Sequence, residues 1–184
     1  MTDTTELEKR FAAKRAAEKK PKAQPELESQ AAKVNKAERA HTKQLGKKAA
    51  EAKFTREAEE TAAEIEKENP SSRKARFLRA SAELQKKNFG SAEKILNGLL
   101  SEKGDDLSSL NLLAAVHAAS GEYERAEAVL AQAIRINRKD YHAYINMARL
   151  IVQSAGDRDK AKRFYLRAVK LGSKKDAHLE KLFK

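Results

Sequence analysis

The stretch Leu113-Ala114-Ala115-Val116-His117-Ala118-Ala119-Ser120-Gly121-Glu122-Tyr123-Glu124-Arg125-Ala126-Glu127-Ala128-Val129-Leu130-Ala131-Gln132-Ala133-Ile134-Arg135-Ile136-Asn137 decides the fold. Its apolar residues follow a helical period twice, with a polar break between the two runs. Leu110, Leu113, Ala114 and His117 fall on one helical face. Ala126, Val129, Leu130, Ala133 and Ile134 fall on another. Gly121, between the two, tolerates the left-handed backbone that a tight turn needs. The stretch therefore reads as a pair of amphipathic helices, and one pair alone cannot bury its apolar stripe.

Moving outward, the same pattern occurs on both sides. Upstream stands Ala80, then Phe89-Gly90-Ser91-Ala92, Leu96 and Leu99-Leu100. Downstream stands Ala148, then Gly156-Asp157-Arg158-Asp159-Lys160-Ala161, Tyr165 and Ala168-Val169. Ala80, Ala114 and Ala148 recur at one constant interval. Ala92 and Ala126 keep that interval, and Ala161 comes one position later than it would place it. Small residues at these places let helix backbones approach, and Leu96, Leu130 and Tyr165 fill the space beside them. The one extra residue in the third unit is expected to reshape its turn around Ala155-Gly156-Asp157, with Gly156 as the left-handed residue.

On these residues the chain resembles the tetratricopeptide repeat family, whose period is about 34 residues. The resemblance covers residues 71–172 and is strongest in the middle unit. It departs from the family pattern at Arg76 and Leu110, where the family carries an aromatic that appears only as Tyr144. It departs again at Arg138, where a proline is usual. The resemblance implies an all-α fold: a right-handed stack of three helix-turn-helix pairs with a C-terminal capping helix and a charged N-terminal helical arm. The expected division is 1–69 for the arm, 70–172 for the repeats and 173–184 for the capping helix. That last helix is expected over Lys174–Phe183, after a helix end at Gly172 and a cap at Ser173.

The resemblance also implies a function: a protein-interaction scaffold or assembly adaptor, taking a peptide or helix in a groove lined by the first helix of each pair. The groove positions are Lys74, Phe77 and Ser81, then Ser108, Asn111 and Ala115, then His142, Ile145, Arg149 and Gln153. Asn111 and Gln153 can bond a peptide backbone, Lys74 and Arg149 can pair with a carboxylate, and Phe77 can hold an apolar side chain. Some family members grip a chaperone's C-terminal carboxylate with Lys, Asn and Arg groups. Arg149 matches that set, whereas Phe77, Ser81, Ala115 and Ile145 do not, so a chaperone tail is not the expected ligand.

Charge offers the alternative. The formal net charge is +12, and it is unevenly distributed: +7 over residues 1–56, −5 over 57–69 and +10 over 70–184. Arg73, Arg76 and Arg79 crowd the first repeat helix. Lys160, Lys162, Arg163, Arg167, Lys170, Lys174 and Lys175 crowd the end of the stack. Such patches suit RNA or a ribonucleoprotein surface, and every phosphate neutralised steepens the salt dependence. Aromatics able to stack on bases are few, which argues against sequence-specific reading.

The segment 1–69 is rich in Ala, Lys and Glu. It predicts a short helix over Thr5–Lys19, a break at Pro21–Pro25 and a helix over Glu26–Glu68, which would run roughly 65 Å at 1.5 Å per residue. Leu27, Val34, His41, Leu45, Phe54 and Ile65 are too sparse for a full coiled-coil seam, and Gly46 weakens the middle. The arm is expected to be partly disordered when free, and an oligomer through it is one expectation.

No enzyme is expected. The chain has no cysteine, no glycine-rich phosphate loop and no paired histidines around a glutamate. His41, His117, His142 and His178 are separate, and no catalytic, cofactor or metal residue is assigned. The start of the chain carries no apolar signal run and no stretch long enough to span a membrane, so a cytoplasmic location is expected.

Overall fold

The computed structural model describes residues 25–184. The helix expected over Thr5–Lys19, and the break beginning at Pro21, lie outside the described residues. Among the described residues there are eight helices and no strand. They are α1 (Pro25–Glu68), α2 (Arg73–Gln85), α3 (Phe89–Glu102), α4 (Leu107–Ser120), α5 (Tyr123–Ile136), α6 (Tyr141–Gln153), α7 (Arg158–Lys170) and α8 (Ala177–Leu182). The chain divides into two units between Ala49 and Ala50. In the first, residues 25–49 belong to α1, and the side chains of residues 38–49 are exposed. None of the described helices is long and apolar enough to cross a membrane.

In the second unit, helices α2/α3, α4/α5 and α6/α7 pack as consecutive antiparallel pairs, and the first helices of neighbouring pairs also touch. The repeating alanines are the reason the pairs close. Ala80, Ala92, Ala126, Ala148 and Ala161 are completely buried, and Ala114 nearly so. Leu96, Leu130 and Tyr165 fill the space between them. Leu110, Leu130, Met147, Leu150 and Ile151 join one cluster across the second and third pairs. Leu96, Leu99, Leu113 and Val116 bridge the first and second. Leu179 of α8 closes the end against Ile145, Tyr165 and Ala168.

The helix starts are capped on the same period as the alanines. Ser72, Asp106 and Asp140 accept hydrogen bonds from the backbone N–H groups of Ala75, Ser108 and His142. The helix ends are equally regular. Lys87, Gly121 and Ala155 all lie in the left-handed region, at φ 65°, 87° and 55°. Each donates to the carbonyl three positions back, and the next residue donates to the one five back: Asn88 to Glu83, Glu122 to His117, Gly156 to Ile151. The third turn thus differs from expectation. Ala155, not Gly156, takes the left-handed conformation, because the hydrogen-bonded end of α6 fixes that position before the extra residue is inserted. Gly156 is needed for space: a Cβ there would meet Ile151 Cγ2 at 3.0 Å and Ile151 O at 3.2 Å.

The terminal helix is also shorter than expected. Gly172, at φ 103°, does end the preceding segment. The cap of α8, however, is Asp176, whose carboxylate accepts from the N–H groups of His178 and Leu179. Ser173 Oγ donates to Lys174 O instead. A carboxylate that accepts two N–H bonds outcompetes a hydroxyl that has found another partner.

Candidate binding groove

Helices α2, α4 and α6 line a cavity of about 510 Å3, and α4, α5 and α6 line an adjoining one of about 250 Å3. The larger is bordered by Phe77, Ser108, Asn111, Asp140 and His142. The smaller is bordered by Ala118, Ala119, Arg149 and Gln153. Ala115 and Asn146 border both. The walls alternate small apolar surface with amide and charged groups.

The polar groups are held by one another. Asn146 Nδ2 donates to Asn111 Oδ1 at 3.1 Å. Asn111 Nδ2 donates in turn to Asp140 Oδ2 and Leu107 O, both at 2.9 Å. Asp140 is anchored as the cap of α6. This chain of bonds fixes Asn111 and leaves the Asn146 carbonyl oxygen without a partner among the described residues. Asn146 escapes sequence reasoning because no charge or aromatic marks it. Its near-repeat position after Asn111 is the only signal.

Other groove positions are engaged or displaced. Arg149 donates to Asp176 Oδ2 from Nε at 3.1 Å and from Nη2 at 2.8 Å. That contact, opposed by burial and helped by the cap hydrogen bonds, holds the Asp176 carboxyl below its ordinary value. Gln153 Nε2 donates to Ala118 O at 3.0 Å, tying α6 to α4. Lys74 is exposed and borders neither cavity, and Ser81 donates to Phe77 O within α2. Ile145 is buried against Tyr165 and Leu179, so it belongs to the core and not to the groove.

The basic residues separate into two sets. Arg73 donates to Leu99 O, Glu102 and Asp106. Arg76 forks onto Glu102 at 2.5 and 2.8 Å. Arg79 forks onto Glu66 at 2.7 and 2.5 Å. These three arginines are therefore internal clamps. Glu102 shows it most clearly: the Arg76 hydrogen bond, opposed by burial and helped by Arg73, lowers its carboxyl to about 2. At the other end, Lys160 pairs with Glu127 at 2.8 Å and Lys175 with Glu180 at 3.7 Å. Lys162 donates to Phe183 O. Arg163, Lys170 and Lys174 form no ion pair among the described residues. Arg167 stands 6.0 Å above the Tyr144 ring, and Tyr144, Lys160, Arg163, Phe164 and Arg167 border a shallow hollow of about 400 Å3.

One further cluster joins Glu93, His117 and Glu122, whose ligand atoms lie within 4.8 Å of one another. Arg125 already supplies the cation: it pairs with Glu93 at 2.5 Å and Glu122 at 2.9 Å, while the buried His117 ring contacts Glu122 at 2.7 Å.

Residues 117–182 match the family model described as tetratricopeptide repeat. No curated protein matches the sequence. Among solved structures, TTC0263, a thermophilic TPR protein in Thermus thermophilus, superposes with a TM-score of 0.54 at 23% identity, over 72% of this chain and 70% of that one. The MamA RS-1 ArsTM double mutant superposes with a TM-score of 0.52 at 14% identity. In that comparison the match covers 64% of this chain and 65%, just under two thirds, of the MamA chain. Helix pairs closing on periodic alanines, the family match from the end of α4 through α8 and the likeness of fold agree: the chain is a tetratricopeptide-like helical repeat protein.

Proposed function

We propose that the protein is a non-enzymatic interaction scaffold that takes a peptide or helical segment of a protein partner in the groove lined by α2, α4 and α6. Stacked repeats of this kind generally present such a groove as their binding surface. The observation that carries the reading is the continuity of the two cavities through Ala115 and Asn146. Together they offer an apolar seat at Phe77 and amide groups able to meet a backbone. Asn146 offers its carbonyl oxygen to a ligand N–H. Arg149 offers its guanidinium to a carboxylate that displaces Asp176.

The test compares capture from the native cell by the intact chain and by a Phe77→Ala/Asn146→Ala variant, with nuclease present throughout. Proteins retained by the former and lost by the latter support the groove, provided both chains melt alike by circular dichroism. An identical captured set rules the groove out.

A second reading rests on the hollow at Tyr144, Phe164, Arg163 and Arg167. Aromatic surface ringed by cations is the combination that single-stranded RNA uses. It predicts association that falls steeply with salt and disappears with Arg163→Ala/Arg167→Ala. Association indifferent to salt sets it aside.

A further inference from the structure

The long helix α1 contains a fourth repeat in register. Ala58 and Ala62 precede Ala92 and Leu96 by the same interval that separates Ala92 from Ala126, and all four are buried. Glu59, Glu93 and Glu127 are spaced by that interval too, and each pairs with a cation farther along the stack: Lys86, Arg125 and Lys160. With the Glu66–Arg79 pair, these contacts make residues 55–68 the second helix of a pair, fastened to α2 and its turn. Counting back once more, Gly46 falls in the column of Ala80, Ala114 and Ala148. Pro70 stands where the repeat pattern closes on a proline. Residues 39–51 therefore have the register of the missing first helix.

The turn that would follow them is replaced by helix. At the register of Lys87, Gly121 and Ala155, where the chain turns, stands Lys53, and α1 runs through it without interruption. The reason is local. Lys53-Phe54-Thr55 has no glycine, and the pairs Lys53–Glu57 and Arg56–Glu60 bridge successive turns across the site. The consequence is an unfilled place. Apart from its chain neighbours and its own helix backbone, no described atom lies within 4 Å of where a Cβ on Gly46 would be, whereas Ala80, Ala114 and Ala148 are buried. Leu45 and Phe54 are half exposed, at 54% and 49%.

We propose that a second copy of this chain fills that place: residues 39–52 of each copy pack as the first helix against residues 55–68 of the other, in a reciprocal antiparallel exchange. A hairpin that cannot close within one chain closes between two when its hinge is a continuous helix. Gly46 of one copy then faces Ala58 of the other, as Ala114 and Ala126 meet in one cluster of the second pair. Charge supports the same pairing. Residues 39–51 carry a net +3 and residues 57–69 a net −5, and the latter keep −3 after Lys86 and Arg79 offset Glu59 and Glu66. The basic half of one helix thus lies along the acidic half of its mate.

The test is the molar mass of the full chain by size-exclusion chromatography with light scattering, across a concentration series up to about 100 μM, a range that detects even a weak micromolar dimer. The intact chain is expected at twice its 20.5 kDa. Lys53→Gly/Phe54→Glu, which copies the Gly121-Glu122 turn, is expected at the mass of one chain with unchanged helix content, because the hairpin now closes in cis. Leu45→Glu is expected to give single chains as well, by placing a charge in the exchanged interface. An intact chain that is monomeric throughout the series overturns the proposal. So does a dimer that survives both variants.

Discussion

Lys87 and Ala155 hold a backbone conformation that side chains with a Cβ rarely adopt, at a cost of roughly 1–2 kcal/mol each. Gly121 and Gly172 hold it freely. Lys87→Gly and Ala155→Gly should each raise stability by about 0.5–1 kcal/mol, after the extra freedom of glycine in the unfolded chain is subtracted. Gly121→Ala should lower it by about 1 kcal/mol. Urea denaturation at unchanged m-value measures all three, and a loss of stability in both glycine variants would contradict the argument. The sequence predicted a left-handed residue in each of the second and third turns but misplaced the latter by one. An inserted residue leaves no mark on either side of a turn. Only the hydrogen bonds from Ala155 to Val152 and from Gly156 to Ile151 decide which residue carries the strain.

Among the helices, α4 shows how much depends on one cap. Asp106 accepts from Ser108 N and Ser109 Oγ and receives Arg73. Burial raises its carboxyl, but the hydrogen bonds from Ser109 and Arg73 outweigh it and hold the group below its ordinary value. Asp106→Ala removes the cap and strands the buried Ser109 hydroxyl, so a loss of about 2 kcal/mol is expected. Asp106→Asn keeps an acceptor for the cap and should lose less. Thermal melts of the two variants separate these outcomes, and equal losses would mean that the Arg73 pair, not the cap, dominates. Helix existence was legible throughout α2–α7, because alanines and leucines recur with the helical period. The groove was legible only in part. Phe77, Asn111 and His142 do gather around one cavity, but Ile145 turns into the core. A face assignment taken from one helix cannot foresee that α8 will cover its end.

For the whole molecule, the sequence shows total charge but not its pairing. Arg73, Arg76 and Arg79 look like a basic patch because the acids that neutralise them lie well away along the chain, at Asp106, Glu102 and Glu66. The same pairs set the response to acid. Glu66 and Glu102 are held low by Arg79 and Arg76, Glu122 by His117, Asp157 by the N–H groups of Lys160 and Asp159, and Asp176 by Arg149. A carboxyl lowered in the folded state binds its proton more readily when unfolded. Its contribution is therefore complete above the unfolded value, 4.5 for Glu102, and is lost as pH falls toward the folded value of about 2. Every shifted acid named acts in the same direction, and protonating carboxylates on a chain already at +12 adds self-repulsion. The melting temperature should fall steadily from about pH 4.5 to about pH 2.5. Glu102→Gln should melt lower than the parent at neutral pH and lose less over that acid range, because one titrating clamp is gone. Parallel melting curves for parent and variant throughout that range would show that the Arg76–Glu102 fork contributes nothing to acid sensitivity, and would shift the burden to the helix-capping aspartates Asp106, Asp157 and Asp176.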